Sequence, residues 1–126
     1  MYTLTVEIVV AIHDEVLNAG EIPGRALDKS LEGALARVDN RLAYGMIEDV
    51  FDLAAAYCLA IAQGHCFNDG NKRTAFRAMN AVLVTNKVRV VWITEDVGQT
   101  IIRAAQGKMD ETSLAEWLRH QAAAGS

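Results

Sequence analysis

The sequence predicts an all-α fold, a compact bundle of about six helices. Three observations point there. Apolar residues recur at the roughly 3.6-residue spacing of an α-helix through most of the chain. Pro23 is the one proline among 126 residues, so little interrupts those runs. The alternating β-branched stretch from Lys87 to Ile93 is short and has no evident strand partner. With 52% hydrophobic residues and no low-complexity tract, residues 1–126 read as one domain able to bury a core.

Taken in order, Thr3 or Thr5 caps a first helix running to about Asn18. Leu4, Ile8, Ala11, Ile12 and Leu17 draw its apolar stripe, and Gly20 stops it. His13 and Asp14 lie within this helix, where the plainer reading is a packed or capped residue. Glu21 to Leu27, containing Pro23-Gly24-Arg25, is a turn-rich connection. Asp28 or Ser30 opens a second helix through Leu31, Leu35, Val38 and Leu42, and Gly45 separates it from the longest one. That third helix runs from Met46 or Ile47 to about Ala62, with Val50, Leu53, Ala54, Tyr57, Cys58 and Ile61 at helical spacing. Its alanines, spread all round, predict burial on more than one side.

Gly64 ends the third helix, and a fourth begins near Asn71. Ala75, Met79, Val82 and Leu83 form its apolar face, with Phe76 beside them. After the extended residues 87–93, Thr94 caps a helix from Glu95 to Ala105 that ends at Gly107. Thr112 or Ser113 opens the last helix, with Leu114, Trp117 and Leu118 inward. No internal repeat is visible.

The net charge is −4 with both signs interspersed, which argues against broad nucleic-acid binding, so no direct DNA binding is expected. Two cysteines make no disulfide scaffold. Cys58 sits in an apolar helical run and reads as a small buried hydrophobe. Cys66 has no supporting arrangement that would make it a catalytic thiol. The sequence shows neither a charged leader followed by an apolar segment nor a run of about 20 apolar residues, so a cytoplasmic protein is expected, without a membrane partner.

The stretch from His65 to Ala75 carries the chemistry. One imidazole, one carboxylate, carboxamides and two cations fall between Gly64 and the start of a helix. A helix start presents unpaired N–H groups and a partial positive charge, which suits phosphate. His65, just past a helix end, can take a proton from a hydroxyl. Asp69 can hold Mg²⁺, a hard ion that takes carboxylate and phosphate oxygens, or can simply cap the following helix. Gly70 permits close backbone approach. Asn71 can donate its amide to a phosphate oxygen. Lys72 and Arg73 can neutralise a polyphosphate, although alone they would read as a solvated helix face. Phe67 should point into the core and fix the loop.

This stretch resembles the signature of the Fic/Doc family, His-x-Phe-x-(Asp/Glu)-Gly-Asn-(Gly/Lys)-Arg. The match falls on His65, Phe67, Asp69, Gly70, Asn71, Lys72 and Arg73. The run Ile12-His13-Asp14-Glu15-Val16-Leu17 looks like the family's opening helix, which keeps His13 as a candidate to support the site from behind rather than to catalyse. Leu31-Glu32-Gly33-Ala34-Leu35-Ala36-Arg37 is similar to a run common in Doc-type members. The resemblance thus covers much of residues 8–77. It implies a Fic/Doc-like bundle whose catalytic loop joins two central helices. It also implies that residues 21–27 form a flap that positions a target by strand-like pairing, beside which an ordinary loop remains open.

One departure bears on the reaction. AMP-transferring members of the family have Gly at the position of Lys72 and an Arg three residues after Arg73. Here those positions hold Lys72 and Phe76, while Arg77 lies one residue out of register, about 100° around the helix. The resemblance therefore implies the Doc-type reaction: a protein-threonine/serine kinase using ATP and Mg²⁺, with ATP bound in the reversed sense and its γ-phosphate passed to a hydroxyl. It further implies a toxin of a type II toxin–antitoxin pair, with elongation factor Tu as substrate, translation arrest as outcome and a Phd-like antitoxin as partner. No Ser/Thr-x-x-x-Glu-(Gly/Asn) run of the self-restraining kind is present. AMP transfer is the alternative within enzymes, and a non-catalytic antitoxin- or ribosome-binding module is the alternative outside them.

Overall fold

The computed structural model describes residues 1–124. Six helices make the whole of its regular structure: α1 Val6–Val16, α2 Leu31–Ala43, α3 Val50–Gly64, α4 Asn71–Thr85, α5 Thr94–Ala105 and α6 Glu111–Ala124. The fold is all-α. Among the described residues no helix is long and apolar enough to cross a membrane.

Helix α3 is the axis of the bundle and packs against α2, α4, α5 and α6, while α1 lies on α4. Leu53, Ala54, Ala55, Ala56, Tyr57, Cys58, Ile61 and Ala62 are all buried, the many-sided burial that the alanines predict. Small side chains let neighbouring helices approach closely. Leu53, Ile61, Met79, Leu83, Leu114 and Leu118 fill the space between, each stabilising by about 1.5–3 kcal/mol on full burial. The phenol of Tyr57 donates to Asp39 and accepts from the Leu4 backbone N–H, so its buried hydroxyl is satisfied.

Several boundaries depart from the sequence reading. The first helix ends at Val16 rather than Asn18, and its inward face runs through Val9 and His13, with Ile8 and Ala11 turned outward. The run Val-Glu-Ile-Val-Val-Ala-Ile is apolar nearly all round, so periodicity alone cannot choose the stripe. Helix α3 starts at Val50, not at Met46 or Ile47, because the Asp49 carboxylate accepts from the Asp52 N–H and closes the N-terminus there. Arg119 on α6 grips both Asp49 and Asp52, tying that cap to the last helix. The last helix is capped by Asp110 rather than Thr112 or Ser113. Thr94 is the first residue of α5, which has no side-chain cap.

Residues 88–93 form no strand. Val88, Val90 and Trp92 turn inward instead, and Val91 and Ile93 are exposed. The Trp92 indole donates to Asn80 on α4, meets Phe76 edge-on at 5.3 Å and stacks on Trp117 at 6.0 Å. This aromatic row closes the α4–α5–α6 side of the bundle.

Candidate active site

The motif loop is built at the junction of the two most extensively packed helices. Helix α3 ends with Gly64 still helical, and His65 makes the left-handed turn at φ 50°, ψ 40°. That conformation normally falls to glycine, since a Cβ there crowds the following carbonyl. At Gly64 a Cβ would stand 3.1 Å from the Cys66 sulfur, a tight approach that the Cys66 side chain would have to relieve. The turn sends Cys66 and Phe67 into the core and leaves the His65 ring exposed. That imidazole makes no hydrogen bond or ion pair with the described residues. Burial raises the Cys66 thiol above its ordinary pKa, which keeps it protonated and unreactive.

Phe67 packs inward as its position predicts, flat against the His13 ring at 3.9 Å and 7°. Asn71 has a partner within the loop that the sequence does not disclose. Its Nδ2 donates to the Phe67 carbonyl at 2.9 Å and its Oδ1 accepts from the Phe67 N–H at 3.1 Å. Both ends of the amide clamp one loop residue, and the second Nδ2 proton remains as a donor.

Asp69 does not cap α4. Gly70 occupies that position at φ 79° with no side-chain cap bond, leaving the first N–H groups of α4 without a side-chain acceptor. The Asp69 carboxylate instead accepts from the Ile22 N–H at 2.7 Å, and its carbonyl accepts from His13 Nε2 at 2.8 Å. Arg73 donates to the Val16 carbonyl at 2.7 Å and to the Glu21 carboxylate. Glu21 in turn accepts from the Asn18 N–H, and these bonds, that of Arg73 foremost, hold its carboxyl below the ordinary pKa. Lys72 is exposed.

The segment from Pro23 to Ala26 runs antiparallel to the loop. The Ala26 N–H donates to the Cys66 carbonyl at 2.8 Å, the Asn68 N–H to the Gly24 carbonyl at 3.1 Å, and the Asn68 side chain to the Pro23 carbonyl. Arg25 and Phe67 pair as an isolated antiparallel bridge. Ile22 and Leu27 flank this pairing and stand exposed.

Beside the loop, between α1, α4 and α5, a cavity of about 600 Å³ opens. Phe76, Trp92, Val97 and Ile101 form apolar walls, and Lys72 and Arg73 lie along its edge. Among the described residues no group of three or more His, Cys, Asp or Glu could hold a metal ion. Asp69 has one carboxylate oxygen on Ile22 and the other unengaged among the described residues.

Sequence reasoning thus places His65, Phe67, Asp69, Gly70, Lys72 and Arg73 around one loop end. It misses the grip of Glu21 on Arg73, and it gives His13 a supporting place behind the site through the family resemblance without the contacts to Phe67 and Asp69. Neither pairing has a local signal, because the partners lie 52 and 56 residues apart.

The bundle thus carries a histidine, a carboxylate and a basic helix start at its central junction. Residues 3–83 match the Fic/DOC family, and the chain belongs to it. Over 120 residues it is 35% identical to the protein kinase Doc of Escherichia phage P1, a match covering 94% of each chain.

Proposed function

We propose that this protein is a Doc-type kinase toxin of a type II toxin–antitoxin pair. It transfers the γ-phosphate of ATP to a serine or threonine hydroxyl of a translation factor, elongation factor Tu by family resemblance, and so halts translation. The observation that carries the reading is the pairing of an exposed, unengaged imidazole at the end of α3 with an uncapped, lysine–arginine start of α4.

In this reading His65 accepts the proton of the target hydroxyl as its oxygen bonds to the γ-phosphorus. The bond from phosphorus to the bridging oxygen breaks, and ADP leaves with the electron pair. The α4 N-terminus, Lys72 and Arg73 hold the phosphate oxygens and stabilise their developing charge. Arg73 keeps donors for this role, because a guanidinium carries five N–H groups and Val16 and Glu21 engage only some of them. Asp69 would hold Mg²⁺, which would supply positive charge to offset the negative charge of the phosphates. Asn71 acts by fixing the Phe67 peptide, and Gly70 supplies the left-handed turn that exposes the helix start.

Two observations favour phosphate over AMP transfer. Phe76 is packed on Trp92 where AMP-transferring members carry a second arginine. Arg77 is turned toward Glu15, at 3.6 Å. The flap from Pro23 to Ala26, already paired with the loop, suits a target backbone laid alongside. The apolar cavity edged by Lys72 and Arg73 suits a segment of a Phd-like antitoxin bearing apolar and acidic residues, so that antitoxin and catalysis exclude each other. Labelled ATP distinguishes the readings. Label from the γ position on a target supports the kinase, label from the α position means AMP transfer, and neither leaves a binding module.

A further inference from the structure

We propose that His13, on α1, is the positioning residue that sets the register of the catalytic loop for transfer. The inference rests on the loop being a phosphotransfer site, but its geometry stands apart from the identity of the target. His13 is 1% exposed, on a helix face where an aliphatic residue would satisfy packing alone. A buried polar ring must find partners, and this one finds them in the loop.

A carbonyl oxygen only accepts, so the 2.8 Å contact with Asp69 puts the proton on His13 Nε2. The tautomer is thereby fixed. Nδ1 faces Asp14 at 3.4 Å, a carboxylate that is 68% exposed and therefore easily reoriented. The firm contact is the one to the loop. The same ring lies flat on Phe67, and its edge abuts Gly70, where an added Cβ would meet Cδ2 at 3.6 Å.

One side chain therefore touches Phe67 and Asp69 and faces Gly70, the residues leading into the α4 N-terminus. Pinning the Asp69 carbonyl has a definite consequence. The peptide joining Asp69 to Gly70 is planar, so directing its C=O toward His13 directs the Gly70 N–H the opposite way. The same plane sets the φ of 79° at Gly70 from which α4 departs. Asp69 is thus held twice: its carbonyl by α1 and its carboxylate by the Ile22 N–H of the flap. Without the first hold the carboxylate would keep its flap contact while the peptide behind it turned.

Two substitutions separate the ring from the donor. His13→Phe keeps a flat ring against Phe67 and removes the N–H. His13→Gln places an amide donor at comparable reach and removes the ring. Each full-length variant is measured for thermal stability, for kcat and KM with ATP, and for the Gly70 and Asn71 amide resonances. His13→Phe is expected to lose kcat on the order of 10- to 100-fold while remaining folded, with a smaller change in KM, because misplacement by about an ångström acts on the reacting geometry. Its Gly70 and Asn71 resonances move. His13→Gln recovers most of kcat even where its melting temperature is lower, and its Gly70 and Asn71 resonances depart from wild type by no more than the lost ring current accounts for.

A folded His13→Phe with wild-type kcat and unmoved Gly70 resonance overturns the proposal, as does a fall in kcat that follows melting temperature in both variants. Wild-type protein transferring no phosphate refutes the kinase reading alone. The Gly70 and Asn71 resonances of the two variants still decide the role of His13.

Discussion

Arg73, in the first turn of α4, holds the last carbonyl of α1 at Val16 and the carboxylate of Glu21 with one guanidinium. Opening helix, flap and catalytic loop are joined at this residue. A phosphate arriving at the α4 N-terminus competes with Glu21 for the same donors. Glu21→Gln removes the charge and leaves the shape, so KM for ATP should fall by a few-fold, the scale of a partly exposed ion pair. Steady-state kinetics with varied ATP checks this. A rise in KM would mean that Glu21 aims Arg73 at the nucleotide rather than occupying it.

The same pair has a pH signature. The Glu21 carboxyl is held below its ordinary value of 4.5, chiefly by Arg73 and then by the Asn18 N–H. A depressed carboxyl contributes stability that is present above the unfolded pKa and lost as pH falls through the lower folded value. Melting temperature followed from about pH 6 downward should therefore decline less in Glu21→Gln than in wild type once pH passes below about 4.5. Parallel curves would show that the bond adds nothing to the fold.

His65 occupies a strained backbone conformation, and two variants separate strain from chemistry. Either His65→Ala or His65→Gly should lower transfer on the order of 10²–10⁴-fold by removing the base. Glycine accepts φ 50° freely and alanine does not, so His65→Gly should be more stable than His65→Ala by about 1 kcal/mol. Denaturant unfolding and γ-phosphate transfer, measured on both, check the two halves. Residual activity near wild type in either would remove His65 from the reaction.

What the sequence discloses here follows the range of the interaction. Thr5 and Ser30 cap helices through bonds three residues long, and both are among the expected caps. The inward alanines of α3 and the core-facing Phe67 are visible because composition and period record burial on the chain itself. Asp49 escapes because the apolar run extends back through Ile47, which is buried without being helical. The clamp of Asn71 on Phe67 escapes for a related reason: a carboxamide at a helix start suits a phosphate or a neighbouring peptide equally, and only the fold of the loop brings it to Phe67. From the helix pattern alone His13 reads as a packed helix residue, and only the family resemblance keeps it as a supporting candidate, since its partner at Asp69 is brought near by the packing of α1 on α4.

Asn71 gives a direct test of its structural assignment. Asn71→Ala removes two hydrogen bonds to the Phe67 peptide, which contribute about 1–3 kcal/mol together. Asn71→Asp is expected to destabilise further, because a carboxylate oxygen then faces the Phe67 carbonyl. Chemical denaturation in the absence of nucleotide checks this. Unchanged stability in both variants would return Asn71 to a purely phosphate-binding role.

Lys72 carries the sharpest prediction, because it bears on which bond of ATP is broken. It stands exposed in the first turn of α4, at the edge of the cavity, where the family's AMP-transferring members have glycine. Lys72→Gly should lose γ-phosphate transfer, since the site would lack a charge contributing a few kcal/mol in a partly desolvated pocket. Removing the side chain also opens the path of the α- and β-phosphates for the opposite nucleotide pose, so a trace of AMP transfer should emerge. It stays a trace because Phe76 supplies no second cation. Phe76→Arg added to Lys72→Gly should raise it, with loss of the edge-on contact with Trp92, which is expected to lower stability by about 0.5–1.5 kcal/mol. Mass spectrometry of the target after incubation with ATP reads the outcome as a phosphate or an AMP adduct. An AMP adduct from wild-type protein, or full phosphate transfer by Lys72→Gly, would show that Lys72 does not choose the reaction.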